Sequence, residues 1–165
     1  MELILIRHGQ AEDRTGDQPD EARNLTDAGR KSLMASMDGY ECFLNGLNRP
    51  VVWSSPLNRA LQTARLIADH IHAHDICELP CIGTGDLDGF LSALTDAGPE
   101  LTDENDVLVV VGHEPWLGEW SRQLCGVLLP FKKGAAAGLR IDIQAPFESE
   151  LLWFAQPRIL RRMEQ

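Results

Sequence analysis

The segment LILIRHGQAE, residues 3–12, sets four consecutive apolar residues directly before an arginine, a histidine and a glycine. An uninterrupted run of branched aliphatic residues is typical of a strand that is buried on both faces, as in a parallel sheet. Arg7 and His8 therefore follow a predicted strand, Leu3–Ile6, at its carboxyl end. Open α/β sheets bind their ligands at this end of their strands, so the segment predicts both a central strand and a site.

Two further segments repeat this arrangement. His113 follows the apolar run Val107–Val111 with one glycine between them, and Arg59 comes shortly after the short predicted strand Pro50–Trp53 and the two serines Ser54 and Ser55. If these strands are parallel neighbours, their carboxyl ends face one crevice. The candidate site residues are therefore Arg7, His8, Arg59 and His113.

Arg59 carries an argument of its own, because a cation in the first turn of a helix opposes the helix dipole. Its position also lies off the apolar stripe of that helix, so packing does not require it. An anion held between the helix N-terminus and the guanidinium would turn this misfit into a binding site. In a chain that is otherwise acidic, such a cluster of donors indicates a compact anion, and phosphate is the commonest candidate.

The remaining pattern alternates helices with strands, which predicts a three-layer α/β/α sandwich with a largely parallel central sheet and antiparallel additions at the end. The predicted helices run from Thr26 to about Leu47, from Pro56 at the first helical position to about Ile71, from Asp86 to Thr95, and from after Pro115 to about Leu124; a loop is expected over Glu78 to Gly85, and late strands over Gly138–Ile143 and Glu150–Phe154.

The length of 165 residues fits one domain over residues 1–165. The formal net charge of −10 argues against nucleic acid and anionic membranes as partners, since either would need a basic face. Glu2 stands where a signal peptide carries basic residues, and no apolar run approaches the ~18 residues of a membrane span. We therefore expect a cytoplasmic protein.

No metal or cofactor is predicted. Cys77 and Cys81 lack the spacing of a zinc or redox motif, and without a secretory signal the four cysteines, Cys42, Cys77, Cys81 and Cys125, are expected to be reduced thiols. His70 and His74 would share one face of a helix, but no third ligand accompanies them, so a solvated helix end is favoured over a metal site.

Several basic residues lie outside this constellation. Arg23 is interpreted either as part of the mouth of the site or as a solvent-facing residue. Lys132 and Lys133, before a glycine, indicate an exposed turn. The basic C-terminal end predicts a solvated tail or, less often, a docking patch for an acidic partner; its residues are Arg158, Arg161 and Arg162.

Three segments now carry a resemblance to a known family. LILIRHGQAE, VVWSSPLNRALQTA and VLVVVGHEPWL resemble, in that order, the signature segments of the histidine phosphatase superfamily, the phosphoglycerate mutase-like proteins with an RHG motif. The short length and the segments ARNLTDAGR and LLWFAQPRIL are similar to the SixA-type phosphohistidine phosphatases, which are small bacterial members. The resemblance spans nearly the whole chain and implies a phosphoglycerate mutase-like fold.

The resemblance also implies roles. His8 would be the nucleophile that accepts the phosphoryl group as a phosphohistidine intermediate, which water then hydrolyses. Arg7 and Arg59 would bind the phosphoryl oxygens, and His113 would donate a further hydrogen bond. Positioning and electrostatics supply most of the catalysis of phosphoryl transfer, so these donors suit the reaction without a metal.

The chain departs from the pattern of the superfamily at the proton donor. Many superfamily members carry an acid in an insertion before the strand that bears the second histidine, whereas residues 76–106 are short here. The candidates are Glu12, Asp17, Asp20, Asp86 and Glu114, or none of them.

The choice of substrate depends on whether its leaving group needs a proton donor. Phosphohistidine releases an imidazole of unperturbed pKa ~6.5, which leaves easily, whereas an alkyl phosphate needs an acid. We therefore expect a phosphohistidine-containing protein as the substrate. Two alternatives stay open, namely a phosphatase of small phosphorylated metabolites and a non-catalytic module that binds phosphoproteins.

Overall fold

The computed structural model describes residues 1–16, 18–44, 48, 50–73, 75–97, 101 and 103–163. Within these residues the chain forms a six-stranded sheet in the order β3-β2-β4-β1-β5-β6. The strands are β1 (Glu2–Arg7), β2 (Val51–Ser54), β3 (Ile76–Glu78), β4 (Val107–Gly112), β5 (Ala136–Arg140) and β6 (Glu150–Ala155).

The four strands β3, β2, β4 and β1 run parallel, and β5 joins β1 in the antiparallel direction. β6 pairs antiparallel with β5 at the edge of the sheet. The apolar runs Leu3–Ile6 and Val107–Val111 thus lie in adjacent strands at the middle of the sheet. The central parallel strands and the late antiparallel additions agree with the predicted sheet.

Helices cover both faces of the sheet. They are α1 (Asp27–Met34), α2 (Met37–Leu44), α3 (Asn58–His70), α4 (Pro80–Thr84), α5 (Leu87–Asp96), α6 (Trp116–Cys125) and α7 (Pro157–Leu160), with 3-10 turns over Asp20–Ala22 and Pro146–Glu148.

The alternation of side chains along β1 divides the core into two layers. Leu3 and Leu5 pack with α5 and α6 on one face, where Phe90 and Trp120 are buried. Ile4 and Ile6 pack with α1, α2 and α3 on the other face. Because successive strand residues point to opposite faces, an unbroken apolar run is what a sheet with helices on both sides requires. The predicted three-layer α/β/α sandwich is confirmed.

Three local predictions were wrong. The helix expected from Thr26 to about Leu47 is two helices, because the chain turns at Ala35 and Ser36; residues 45–47 lie outside the described part. The expected loop from Glu78 to Gly85 holds the last residue of β3 and the short helix α4. Pro56 precedes α3 rather than opening it, since that helix begins at Asn58.

In the part of the chain that the structure describes, no helix combines the length and the apolar character needed to cross a membrane.

Candidate active site

The site is built at the carboxyl ends of β1, β4 and β2. Arg7 and Gly112 are register partners in the parallel pair of β1 and β4. The backbone N–H of His8 donates to the carbonyl of Gly112 at 3.0 Å, and that of Ser55 donates to the carbonyl of Val111 at 3.0 Å. The sheet hydrogen bonds therefore continue one residue past the strands and hold His8, Ser55 and His113 at one edge.

His8 is buried, and its ring lies 4.9 Å from the ring of His113, measured between centroids. Its Nδ1 lies 2.6 Å from the carbonyl oxygen of Gly9. A carbonyl only accepts hydrogen bonds, so Nδ1 carries the proton and Nε2 keeps its lone pair. Burial, His113 and the nearby arginines lower the pKa of His8 to about 3. The ring is neutral at pH 7, with a nucleophilic nitrogen at Nε2.

A buried threonine orients the Gly9 peptide that fixes this tautomer. The Gly9 N–H donates to Thr63 Oγ1 at 3.1 Å, and the Thr63 hydroxyl donates to the Arg59 carbonyl at 2.7 Å. α3 thus holds the turn that follows β1 and, through the Gly9 carbonyl, the ring of His8. The sequence patterns did not single out Thr63, because a helical threonine carries no signal of such a contact.

His113 is held by Ser55. The two side chains meet at 2.7 Å between Nε2 and Oγ. Ser55 Oγ also accepts the N–H of Leu57 at 3.3 Å. Among the described residues the Ser55 hydroxyl has no acceptor other than His113 Nε2, so its hydrogen points to that nitrogen. The ring proton then lies on Nδ1, which is buried and has no hydrogen-bond partner among the described residues. Burial, together with Arg59, lowers the pKa of His113 to about 4, and the neutral ring still presents an N–H donor.

Arg7 reaches the carbonyl of Phe131 with its Nη1 at 2.7 Å. The backbone N–H of Phe131 donates to Glu114 Oε1 at 3.2 Å. The Phe131 residue therefore links the side chains of Arg7 and Glu114. The Nε of Arg7 is buried without a partner among the described residues. One edge of the guanidinium is therefore fixed by the protein, and a second nitrogen is left to donate to a ligand.

Arg59 is buried in the first turn of α3, where the sequence predicts an anion. In the structure that anion is a carboxylate of the chain itself, because Arg59 Nη2 lies 2.9 Å from Asp20 Oδ2 and Nη1 donates to the Asp20 carbonyl at 2.7 Å. Arg14 and Arg23 bind the other carboxylate oxygen. These arginines hold the pKa of Asp20 well below its usual range. A phosphoryl group at Arg59 would approach alongside this carboxylate.

The four described candidates for the proton donor all accept hydrogen bonds from other groups of the protein. Glu12 accepts the N–H of Asn24 at 2.9 Å, and Asp86 caps α5 through the N–H of Gly89 at 2.9 Å. Asp20 is held by three arginines. Burial raises the pKa of Glu114, the direction that suits an acid, but its Oε1 is bound to the Phe131 peptide. Asp17 lies outside the described residues.

The other polar residues that the sequence brought forward lie away from this edge or support it. Arg23 donates to Asp20 and to the carbonyl of Glu12. His70, at the end of α3, contacts Glu41 at 3.0 Å, and His74 lies outside the described residues. The four cysteines are free thiols. No group of three or more potential metal ligands occurs among the residues described.

The arrangement joins a neutral nucleophilic imidazole to a second imidazole and two guanidinium groups in a buried setting. Oriented N–H donors of this kind stabilise a compact, highly charged transition state. Sequence patterns located Arg7, His8, Arg59 and His113, which the structure brings to one sheet edge, but they missed the contacts of Ser55, Thr63 and the Phe131 peptide that orient them. The class of protein that this fold and site define is a phosphoryl-transfer enzyme.

Comparison with known proteins assigns the family. A model of the histidine phosphatase superfamily (branch 1) matches residues 3–104. A protein of Picosynechococcus described as uncharacterized is 35% identical over 170 residues, covering 97% of this chain and 99% of its own length. The chain belongs to the histidine phosphatase superfamily, branch 1, and is a hydrolytic phosphatase.

Solved structures share the fold. The protein histidine phosphatase SixA complexed with tungstate has a TM-score of 0.76 at 24% identity, with coverage of 96% of this chain and 98% of that one. A mycobacterial glucosyl-3-phosphoglycerate phosphatase with inorganic phosphate has a TM-score of 0.69 at 19% identity, covering 96% and 99%. A phosphoserine phosphatase mutant of Entamoeba histolytica, in complex with phosphoserine, has a TM-score of 0.65 at 18% identity, covering 98% and 99%.

Proposed function

We propose that this protein is a metal-independent phosphohydrolase that removes the phosphoryl group from phosphohistidine in a partner protein, through a phosphohistidine intermediate on His8. The observation that carries the proposal is the convergence of a neutral His8, with Nε2 unprotonated, and three donor side chains at one sheet edge. The proposal covers residues 1–165 as a single histidine phosphatase domain in the cytoplasm.

In the first step His8 Nε2 attacks the phosphorus atom and the bond from phosphorus to the substrate imidazole breaks. The electron pair leaves with the imidazole nitrogen. When the other nitrogen of that ring carries a proton, the product is a neutral imidazole, and no proton has to be delivered during the step. Arg7, Arg59 and the Nδ1–H of His113 bind the phosphoryl oxygens while their charge spreads.

In the second step a water oxygen attacks the phosphorus atom and the bond from His8 Nε2 to phosphorus breaks. The electron pair returns to His8, and inorganic phosphate leaves with the protons of the water shared between it and the solvent. The Gly9 carbonyl keeps the proton of His8 on Nδ1 throughout. The ring therefore returns to the tautomer with which it began.

The engagement of the candidate acids supports phosphohistidine as the substrate. An alkyl phosphate expels an alkoxide and depends on a general acid, whereas an imidazole of pKa ~6.5 leaves without one. Among the described candidates, Glu12, Asp86 and Glu114 accept hydrogen bonds from the backbone N–H groups of Asn24, Gly89 and Phe131. Asp20 accepts hydrogen bonds from arginines, Arg59 among them. A chain with this set of carboxylates is better suited to cleave a phosphorus–nitrogen bond than an ester.

The experiment compares phosphate release from a chemically phosphorylated histidine peptide and from glycerol 3-phosphate, an alkyl phosphate ester, in metal-free buffer. We expect fast turnover of the peptide, slow cleavage of the ester, and loss of both in His8→Ala. His70→Ala, which removes a surface histidine, is the matched control. The intermediate is sought by rapid quench with labelled substrate, as phosphate on the protein that is stable to alkali and labile to acid.

The other outcomes decide between the alternatives. Preference for the ester would make this protein a phosphatase of small phosphorylated metabolites. Binding of inorganic phosphate without turnover of either substrate would leave a non-catalytic module for phosphoproteins. Equal turnover by His8→Ala and the wild-type protein would remove His8 from the mechanism.

A further inference from the structure

A basic groove adjoins the candidate active site. It has a volume of about 710 Å³ and shares Arg7 with the site. The turn before β5 supplies one wall and α7 the other, and the basic residues that line it are Lys132, Lys133, Arg158 and Arg161. The sequence alone indicates an exposed turn and a solvated tail for these residues, and the fold brings the two segments together.

The cations of this basic groove have no acidic partner in the part of the chain that the structure describes. Among the described residues, none of the four takes part in an ion pair, and no acidic side chain is among the groove's lining residues. The Arg161 guanidinium donates a hydrogen bond to Ser32 Oγ at 3.2 Å. All four side chains are exposed, so the cluster presents a local positive potential that attracts an acidic ligand. In a chain of net charge −10 this cluster stands out.

The groove is preformed. Gln156 accepts the N–H of Lys132 at 3.3 Å and donates to the carbonyl of Pro130 at 2.9 Å, and these bonds tie the turn to the start of α7. The floor also holds Pro157 and the half-exposed Ile159, which offer apolar contact beside the charges. A rigid basic surface with an apolar element suits a peptide segment that carries both acidic and apolar residues.

We propose that the basic groove docks an acidic segment of the partner protein next to the phosphohistidine that enters the site. The proposal rests on the proposed function and specifies the chemistry of the partner. A membrane or a nucleic acid is an extended polyanion and would also face the acidic remainder of the surface, which repels it. A short acidic segment meets only the groove, and the continuity through Arg7 places it beside the reacting phosphoryl group.

The test uses two synthetic peptides that contain one histidine, phosphorylated with phosphoramidate. One carries aspartate and glutamate around the histidine and the other carries serine. We expect kcat/KM to be roughly tenfold higher for the acidic peptide, the size expected from a few exposed charge pairs, and this advantage to shrink as NaCl is added. In the double variant Lys133→Gln/Arg158→Gln we expect the advantage to disappear, so that the two peptides have equal kcat/KM values.

Arg65→Gln/Arg140→Gln removes the same charge from exposed positions elsewhere and is expected to keep the wild-type ratio. An equal kcat/KM for both peptides in the wild-type protein would overturn the groove proposal while the proposed function stands. The groove proposal also fails if the groove variant keeps the wild-type ratio, or if the groove charges bind phosphatidylserine vesicles while the two peptides react alike. Failure of the wild-type protein to hydrolyse either peptide would instead refute the proposed function, and the groove proposal with it.

Discussion

The Nε2 of His113 lies 2.7 Å from the Oγ of Ser55, although 58 positions separate the two residues in the chain. The contact is possible because β2 and β4 are parallel neighbours with Ser54 opposite Val111. The Ser55 hydroxyl accepts the Leu57 N–H and turns its own hydrogen to the ring. The contact therefore decides which nitrogen of His113 is a donor.

Replacement of Ser55 by alanine should reduce kcat by about tenfold, because loss of one orienting hydrogen bond costs about 1–1.5 kcal/mol. KM should change less, since both arginines remain. Steady-state kinetics with the phosphohistidine peptide measure this separation of kcat from KM.

Ser54→Ala is the matched control, because the Ser54 hydroxyl donates to the Ser55 carbonyl and does not touch His113. It should keep kcat, and Ser55→Thr should restore most of it. Equal kcat values in Ser54→Ala and Ser55→Ala would refute a specific role for the hydroxyl of Ser55.

Thr63→Val should lower both stability and kcat. The change keeps the shape of the side chain but removes the hydroxyl that accepts the Gly9 N–H. A buried donor left without a partner costs about 1–3 kcal/mol, and the freed Gly9 peptide no longer orients His8. Chemical denaturation measures the stability, and the rate of phosphoenzyme formation measures the effect on His8. Thr63→Ser keeps the hydroxyl and is expected to retain both values. Normal labelling kinetics in Thr63→Val would show that Thr63 does not orient the nucleophile.

Stability should fall as the pH is lowered from about 6.5 toward 4. An unfolded histidine takes up its proton near pH ~6.5, whereas the folded pKa values are about 3 for His8 and about 4 for His113. The unfolded state therefore binds more protons in this window, and acid favours unfolding. Urea denaturation at a series of pH values measures the slope.

Each histidine contributes at most about 1.4 kcal/mol per pH unit to that slope. His8→Asn and His113→Asn should each make the dependence shallower, and the double variant should be the flattest of the set. An unchanged slope in all three variants would mean that the depressed pKa values do not exist in solution.

Gly29→Ala should destabilise the fold by about 1–3 kcal/mol, because overpacking a tight contact has this cost. A methyl group at Gly29 would meet the Gln10 carbonyl oxygen, which the Thr26 N–H also contacts where α1 meets the segment after His8. Thermal unfolding measures the change. Gly16→Ala is the control, since a methyl group there would meet no described atom within 4 Å, and an equal shift in both variants would refute the close contact.

The sequence predicted the central strands and the placement of polar residues at their carboxyl ends, because both depend on patterns that are local in the chain. The apolar runs at Leu3–Ile6 and Val107–Val111 are long enough to mark buried strands, and polar residues directly after such strands reach one edge by topology. Arg59 was singled out because its conflict with the helix dipole is visible in the sequence alone, but the anion that it contacts in the structure is the Asp20 carboxylate.

The remaining features depend on contacts between distant segments. β3 is a short edge strand with two exposed residues, so it carries no burial pattern. The break between α1 and α2 occurs at Ala35 and Ser36. Neither residue is a glycine or a proline, the usual helix breakers. The pairing of Asp20 with Arg59 joins positions 39 residues apart, and no spacing rule predicts it.

The separation of His8 and His113, 4.9 Å between ring centroids, is close to the ~4.8 Å spacing of neighbouring strands. It is thus a property of the backbone pairing of β1 and β4 more than of the side chains around it. Sequence drift in the surface turns leaves that spacing intact. Changes confined to the segments around Lys133 and Arg158 could therefore exchange one partner for another during evolution and leave the chemistry at His8 and His113 unchanged. A protein engineer could redirect the protein to a new partner by the same changes.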